Sequence, residues 1–417
     1  PNCCIEHMFE RSWIKIIEHF GYNYLCLPTE KIFDYYKIKL KAIYFPQYHN
    51  SKENNKFWDE GFTEWTLLKP FQDKIEIRGN EIPILKPHPD IGYYSLDDIN
   101  TFKTQCKMAL TYGLNGFIIY HYWFGNSHSV LNKVEEHILT GQTDFKFCFS
   151  WANEPWTKRW DGLNNSVLIN QDYEDEDNYT HIDYLIKFFK LSNYIKTENG
   201  ECIFYIYNFH HIRKHFDKIK KKWKMRLREQ GLKIKFISTS NAIGYNKNHG
   251  TDVKFDFIPM SLTQCWKSYS NSKSNIGLIE DKISQHWELD YDNIISYIDN
   301  IELSTTHIGL CGRWNNIVRR QGIGGHLHIT NYTLDKFDKL LMRLIVKIIL
   351  KQINKFETEE IFKYKIKKIA NNNLNYKIDD CVIILNAWNE WNEQAVFEPT
   401  NFEGYSNLEI IKYYSNL

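Results

Sequence analysis

Eight short apolar segments, rich in β-branched and aromatic residues, recur along the 417-residue chain: 40–45, 116–120, 145–150, 202–207, 234–238, 255–258, 307–311 and 382–385. Runs of this length and composition read as buried strands. Most are separated by enough chain to hold a helix, which parallel pairing requires and a hairpin does not. Residues 101–110 form one such helix, ending at Gly113 and feeding directly into the second segment. Eight βα units predict an α/β fold, a (β/α)8 TIM barrel with peripheral helical insertions. A single barrel absorbs the length from residue 39 to 417. Residues 1–38, with Cys3, Cys4 and a helical run from Trp13 to Phe20, stand outside the repeat and read as an N-terminal extension or the tail of a preceding domain. The chain opens on Pro1, as a piece cut from a longer polypeptide does.

Composition narrows the function. Lys+Arg 52 against Asp+Glu 51 leaves a formal charge of +1, which offers no general attraction to nucleic acid or membrane surfaces. The longest apolar stretch, 340–350, is interrupted by Arg343 and Lys347. It is too short and too charged to span a bilayer, and Leu340, Leu341, Leu344, Ile345, Ile348 and Ile349 recur at helical spacing, so it reads as an amphipathic packing helix. Nine Cys with no C-x-x-C pair, among them Cys148, Cys202, Cys311 and Cys381 in apolar runs, suit a reducing, cytoplasmic setting. Residues 163–200, 265–305 and 325–380 are Lys/Asn/Ile-rich and read as peripheral helices and loops.

Polar and aromatic residues gather where the predicted strands end. Tyr44 stands near the end of the first, and Pro46, Gln47, Tyr48 and His49 follow it; His121, Tyr122 and Trp123 follow the second; Trp151, Asn153, Glu154 and Trp156 the third. The last gives Asn386, Trp388, Asn389, Glu390, Trp391 and Glu393. In a barrel these ends converge on one face, where active sites lie. Glu390 and Glu393 are three apart, so on a helical turn their Cβ atoms sit roughly 5–6 Å apart on one side. Two carboxyl groups that close push their pKa values apart, leaving one as an acid and the other as a base. That is the state glycosidic cleavage requires. The bland alternative is a pair of surface glutamates.

Other candidates carry two readings each. Glu154 is a further acid/base or hydroxyl-gripping group, or a structural carboxylate tied to Arg159 or a backbone amide. Asp161, after Trp160, binds substrate hydroxyls or caps a turn. Glu64, beside Trp65, faces substrate or caps a helix. Arg319 and Arg320, after Trp314 and Asn316, neutralise an acidic sugar or phosphate, or form a structural salt bridge. Metalloprotease, P-loop, dinucleotide-binding and nucleophile-elbow motifs are absent from the sequence. His326 and His328 sit in a Gly-rich stretch without a third ligand at metal spacing, so no metal and no cofactor are expected.

Five ordered motifs carry a family resemblance over residues 40–412. They are 42–65 (Ala-Ile-Tyr-Phe-Pro-Gln-Tyr-His through Gly-Phe-Thr-Glu-Trp), Gly92-Tyr93-Tyr94, 112–124, 151–162 and 386–399 ending in Phe-Glu-Pro. The chain resembles the WbsX-type proteins of polysaccharide biosynthesis, which carry the label of glycosyltransferase. Those are similar to glycoside hydrolase family 99, retaining endo-α-mannosidases and endomannanases on a (β/α)8 barrel. The resemblance implies that Glu390 is the base engaging the substrate 2-hydroxyl, through an epoxide-like intermediate. It implies that Glu393 is the general acid/base at the glycosidic oxygen. Gln394 stands where a Gly is usual, Thr400 where an Asp is usual, and Asn315 replaces an Asp, removing a charge near the site. Three functions follow: a hydrolase or transglycosylase acting on an oligosaccharide or polysaccharide, a sugar-nucleotide glycosyltransferase, or a glycan-binding module without turnover.

Overall fold

The structure is a computed structural model that describes residues 38–125, 128–157, 167–174, 179–240, 251–272, 274–275, 283–301, 307–320, 325–354 and 381–415. The N-terminal extension, bar Ile38, therefore lies outside the described residues. Eight strands form the central sheet: β1 (Ile38–Tyr44), β2 (Phe117–Trp123), β3 (Phe147–Trp151), β4 (Glu201–Ile206), β5 (Lys233–Ser240), β6 (Val253–Asp256), β7 (His307–Cys311) and β8 (Cys381–Asn386). Each overlaps one of the eight segments expected from sequence. All pair in parallel with their neighbours in chain order. The sheet closes where β8 pairs with β1, Cys381 opposite Ile38 through Leu385 opposite Ala42. This is a (β/α)8 barrel. Strands β3, β7 and β8 are buried at every residue, as parallel strands covered on both faces must be.

Helices cover the barrel in the expected alternation: α1 (Ile99–Thr111), α2 (Lys133–Leu139), α3 (Thr180–Phe189), α4 (Phe216–Glu229), α5 (Tyr291–Asn300), α6 (Leu334–Asn354) and α7 (Ser406–Ser415). Residues 241–250, between β5 and β6, lie outside the described residues. The Asp98 carboxylate caps α1 by accepting from the Asn100 N–H at 2.9 Å. Helix α6 contains the predicted amphipathic stretch, and Leu340, Leu341, Leu344, Ile345 and Ile348 are buried. Among the described residues no helix is long and apolar enough to cross a membrane. Cys148, Cys202, Cys311 and Cys381 are all buried.

One expectation needs correcting. Residues 265–305 and 325–380 hold more than helices and loops, because a second, three-stranded sheet is built from them. Lys267–Ser272 runs antiparallel to Ile283–Asp290, which pairs in parallel with Gly325–Thr330. These are insertions from the connections after β6 and β7, and their polar composition hid their pairing.

The seam between β6 and β7 is the shortest in the barrel, with Phe255 opposite His307 and Asp256 opposite Ile308. A Cβ on Gly309 would stand 2.2 Å from the Asp256 carbonyl oxygen, so the strands approach there only because position 309 has no side chain. Gly309→Ala is expected to cost about 1–3 kcal/mol, as overpacking does, read from the urea midpoint. An unchanged midpoint would show that this seam yields freely.

Candidate active site

The last strand leads into the site. After β8 the chain makes a two-residue strand, Asn389–Glu390, paired with Ala395–Val396, and then a single 3-10 turn, Trp391–Glu393. The turn brings Glu390 and Glu393 to one guanidinium. Arg319, in the short helix Ile317–Arg320 after β7, donates from Nη2 to Glu390 Oε1, while its Nε lies 3.0 Å from Glu393 Oε1. Glu64, first residue of the helix Glu64–Leu68 after β1, brings its Oε2 to 3.9 Å from Nη2. It also accepts from the Asn392 amide. Three carboxyl groups from two distant loops thus surround one cation at the C-terminal mouth.

Exposure separates the pair. The Glu390 side chain is 2% exposed and that of Glu393 29%, so Glu393 is the carboxylate that meets solvent. Trp314 Nε1 donates to Glu393 Oε2 at 3.1 Å. Burial pushes the Glu390 carboxyl up to about 8, opposed by Arg319 and reinforced by the like charges of Glu393 and Glu64. Burial raises Glu64 as well. Gln47 donates to the Tyr122 hydroxyl beside this cluster. Tyr120 lies between Phe45 and Tyr207, with ring centroids 4.7 and 5.4 Å away, and both glutamates act on its phenol. Beyond β3, half-buried Trp156 stands near Trp58 at 5.7 Å, and Glu154 accepts from Asn208 Nδ2 at 2.6 Å.

Many of the residues expected to touch substrate lie behind this mouth instead. Side chains alternate along a strand, so Tyr120 and Tyr122 face the barrel while His121 and Trp123 face the helices. His121 Nδ1 is 2.8 Å from Glu135 of α2 and its Nε2 3.0 Å from His181 of α3. Trp123 stacks on His181 at 4.7 Å. Trp151 packs on Trp223 of α4, and Tyr44 donates to Gln105 of α1 at 2.6 Å. Trp388 and Trp391, which bracket Glu390 in sequence, are fully buried and spend their indole N–H groups on Glu398 at 2.9 and 3.0 Å. Trp65 packs under Trp391 at 5.7 Å.

The amides in the motifs stitch the loops together. Asn389 accepts from Phe45 N at 2.8 Å and donates to Phe45 O at 3.0 Å. Asn386 donates to Ile258 O, Asn153 to Asn208 O, and Asn316 accepts from Leu327 N. Tyr48 donates to Asn389 O at 2.8 Å, and His49 is buried with Nδ1 2.8 Å from Asn50 O. These residues support the mouth and do not line it. Trp160 and Asp161 lie outside the described residues. Tyr120, in the aromatic run 120–123, shares the barrel face with Tyr122 by strand alternation, whereas Tyr207 carried no signal in the sequence.

Glu398 is the support on which this loop rests. Its Oε1 accepts from Gln105 Nε2 and Trp388 Nε1, and its Oε2 from the Tyr94 hydroxyl and Trp391 Nε1. Burial pushes its carboxyl up to about 7 against the pull of those four donors. Glu398→Gln puts an N–H where two donors converge, and each unmatched buried donor costs about 1–3 kcal/mol. The expected loss is therefore about 2–6 kcal/mol in urea unfolding, with near-ultraviolet circular dichroism reporting the released indoles. A variant as stable as the wild type would remove Glu398 from this role.

Fold and site together define a (β/α)8 barrel protein with an acidic, aromatic mouth. Within that class, the family described as Glycosyltransferase WbsX matches residues 40–355 and 347–411, and the chain belongs to it. Two relatives named uncharacterized protein WxcX, from two strains of Xanthomonas campestris pv. campestris, are each 25% identical over 96% of this chain. The chain spans about half the length of these curated relatives, 52% in each case. Solved structures with a similar course include a glycoside hydrolase-like protein, at TM-score 0.48 and 12% identity over 91% of this chain and 94% of that one. Another is a GH99 endo-alpha-mannosidase from Bacteroides thetaiotaomicron, at TM-score 0.47 and 12% identity over 90% and 96%.

Proposed function

We propose that this chain is a carbohydrate-active enzyme that acts on glycosidic bonds of a complex glycan or polysaccharide. Its chemistry is that of a retaining glycoside hydrolase or transglycosylase, with Glu390 and Glu393 as the acting pair. The observation that carries this reading is the bridge of both carboxylates through Arg319 at the mouth of the barrel. Glu393, the exposed partner, protonates the leaving glycosidic oxygen. Glu390, buried and made more basic by its surroundings, takes the proton of the substrate 2-hydroxyl as that oxygen closes on the anomeric carbon. Water or an acceptor sugar then opens the intermediate, with Glu393 removing its proton and Glu390 returning one to the 2-oxygen. Tyr120, Tyr122, Tyr207 and Trp156 supply ring faces for the sugars.

A sugar-nucleotide glycosyltransferase is the second reading, favoured by the description of the family. It needs a cationic diphosphate site. Arg319, the candidate for that role in the sequence, is instead surrounded by Glu64, Glu390 and Glu393. Three carboxyl groups crowd the one guanidinium, so Arg319 has no uncompensated positive charge to offer a diphosphate.

Incubation of the wild type, Glu390→Gln and Glu393→Gln with a panel of α-linked oligosaccharides, with and without nucleotide sugars, tests this. Nucleotide-independent cleavage or transfer is expected, reduced by about 10²–10⁴-fold in each variant. Product only with nucleotide sugar would establish the transferase, and tight binding without turnover a glycan-binding module.

The pH profile gives a second test. Glu390, the base of this mechanism, is pushed up to about 8 and must lose its proton before it can act. The rise of kcat/KM with pH should therefore run up to about this value. Glu64 contributes to the elevation, so Glu64→Gln should move that rising limb to lower pH. A limb that stays put would separate Glu64 from the pair.

A further inference from the structure

Outside the acidic mouth, three imidazoles meet on one face of the inserted sheet. Strands Ile283–Asp290 and Gly325–Thr330 pair in parallel, with His286 opposite His326 and Glu288 opposite His328. Residues opposite one another, or two apart on one strand, share a face. All three rings are therefore on one side, at centroid separations of 4.7, 5.0 and 5.4 Å. All are buried, at 0%, 1% and 6% exposure for His286, His326 and His328. Position 286 lies 40 residues before 326 in sequence, so spacing gave no hint of a third ligand. The strand pairing supplies it.

The hydrogen bonds around the trio fix which nitrogens are free to bind. Asn315 Oδ1 accepts the Ile317 backbone N–H at 3.0 Å, so it is the oxygen that faces His326 Nε2 at 2.8 Å. That Nε2 must carry the hydrogen, leaving Nδ1 bare. Likewise Glu288 Oε1, paired with Arg78 Nη1 at 3.0 Å, accepts from His286 Nε2 at 3.0 Å, leaving its Nδ1 bare. The two bare Nδ1 atoms are 2.8 Å apart. Two lone pairs at that distance repel unless a cation takes both. His328 adds a buried Nδ1 with no hydrogen-bond partner. One ligand nitrogen from each ring lies within 4.8 Å of the others. This spread brackets the ~3.3 Å edge of a tetrahedron with metal–nitrogen bonds of about 2.0–2.1 Å. A carboxylate and an amide oxygen on the outer nitrogens are the partners that orient metal-bound imidazoles.

We propose that His286, His326 and His328 bind one late first-row divalent metal ion of the zinc type, and that this ion braces the loop carrying Trp314 and Arg319. Three neutral imidazoles without oxygen ligands select zinc, copper or nickel over magnesium or calcium. Burial favours the neutral form of each ring. The link to the mouth is short. Asn315, which orients His326, donates its backbone N–H to Glu393 O at 2.8 Å. Its neighbour Trp314 holds the Glu393 carboxylate, and Arg319 follows one helical turn later. The site thus stands behind the acidic cluster, as a brace and not as a reactant.

The test is zinc titration of tag-free, chelator-treated full chain by calorimetry, with metal content after dialysis and the thermal midpoint as parallel readouts. One zinc per chain and a raised midpoint are expected. His326→Ala and His328→Ala should lose affinity by about 100-fold or more, and Asn315→Leu, which removes the orienting oxygen but no ligand nitrogen, by about 10–100-fold. Zinc binding no stronger in the wild type than in the histidine variants would overturn the site. If those variants aggregate, cobalt-loaded wild type decides. Intense visible bands of a four- or five-coordinate nitrogen-ligated ion support the site, and the weak spectrum of hydrated cobalt refutes it.

Discussion

Closure of the sheet between β8 and β1 is the constraint on which the rest of the molecule depends. Five residue pairs, from Ile38 with Cys381 to Ala42 with Leu385, join segments more than 300 positions apart. Once they pair, the loop after the last strand must lie beside the loop after the first. Glu390 and Glu393 then meet Glu64, and the loop after β7 inserts Arg319 among them. Asn389 records the same closure in hydrogen bonds, gripping the Phe45 backbone from across the seam.

Two buried acidic positions in this region are handled in opposite ways. Glu398 receives four neutral donors and no cation, which ties down two indoles and gives the loop a rigid base. Glu390 shares one guanidinium with two rival carboxyl groups and is held above the ordinary carboxylate range. The first arrangement suits a support, because every lone pair is matched. The second suits chemistry, because the charge is under-compensated and a proton is easily gained or lost.

Much of the fold was legible from residues 40–385, because parallel strands buried on both faces are continuous apolar runs whatever surrounds them. The site was legible only in part. Glu390, Glu393, Glu64 and Arg319 stood out by type and position. The indoles of Trp388 and Trp391 stood out equally, yet they serve Glu398. An aromatic at a strand end can face ligand or core, and residue type does not say which. His121, Tyr122 and Trp123 are consecutive, and only the pleat sends the middle one to the mouth and the other two to the helices. The three-histidine cluster was half hidden: His326 and His328 stood out as a pair, but His286 lies on a separate insertion and joins them only through strand pairing.

The sequence by itself determined the count and order of the barrel strands, the acidic character of the last loop and its family signature. These depend on local composition and on burial of apolar runs, which the chain carries within each segment. Tertiary structure alone decided which side chains open to the mouth, that one arginine joins three carboxyl groups, and that His286 shares a face with His326 and His328. Those outcomes depend on strand parity and closure, where distances between atoms are set by pairings hundreds of residues apart.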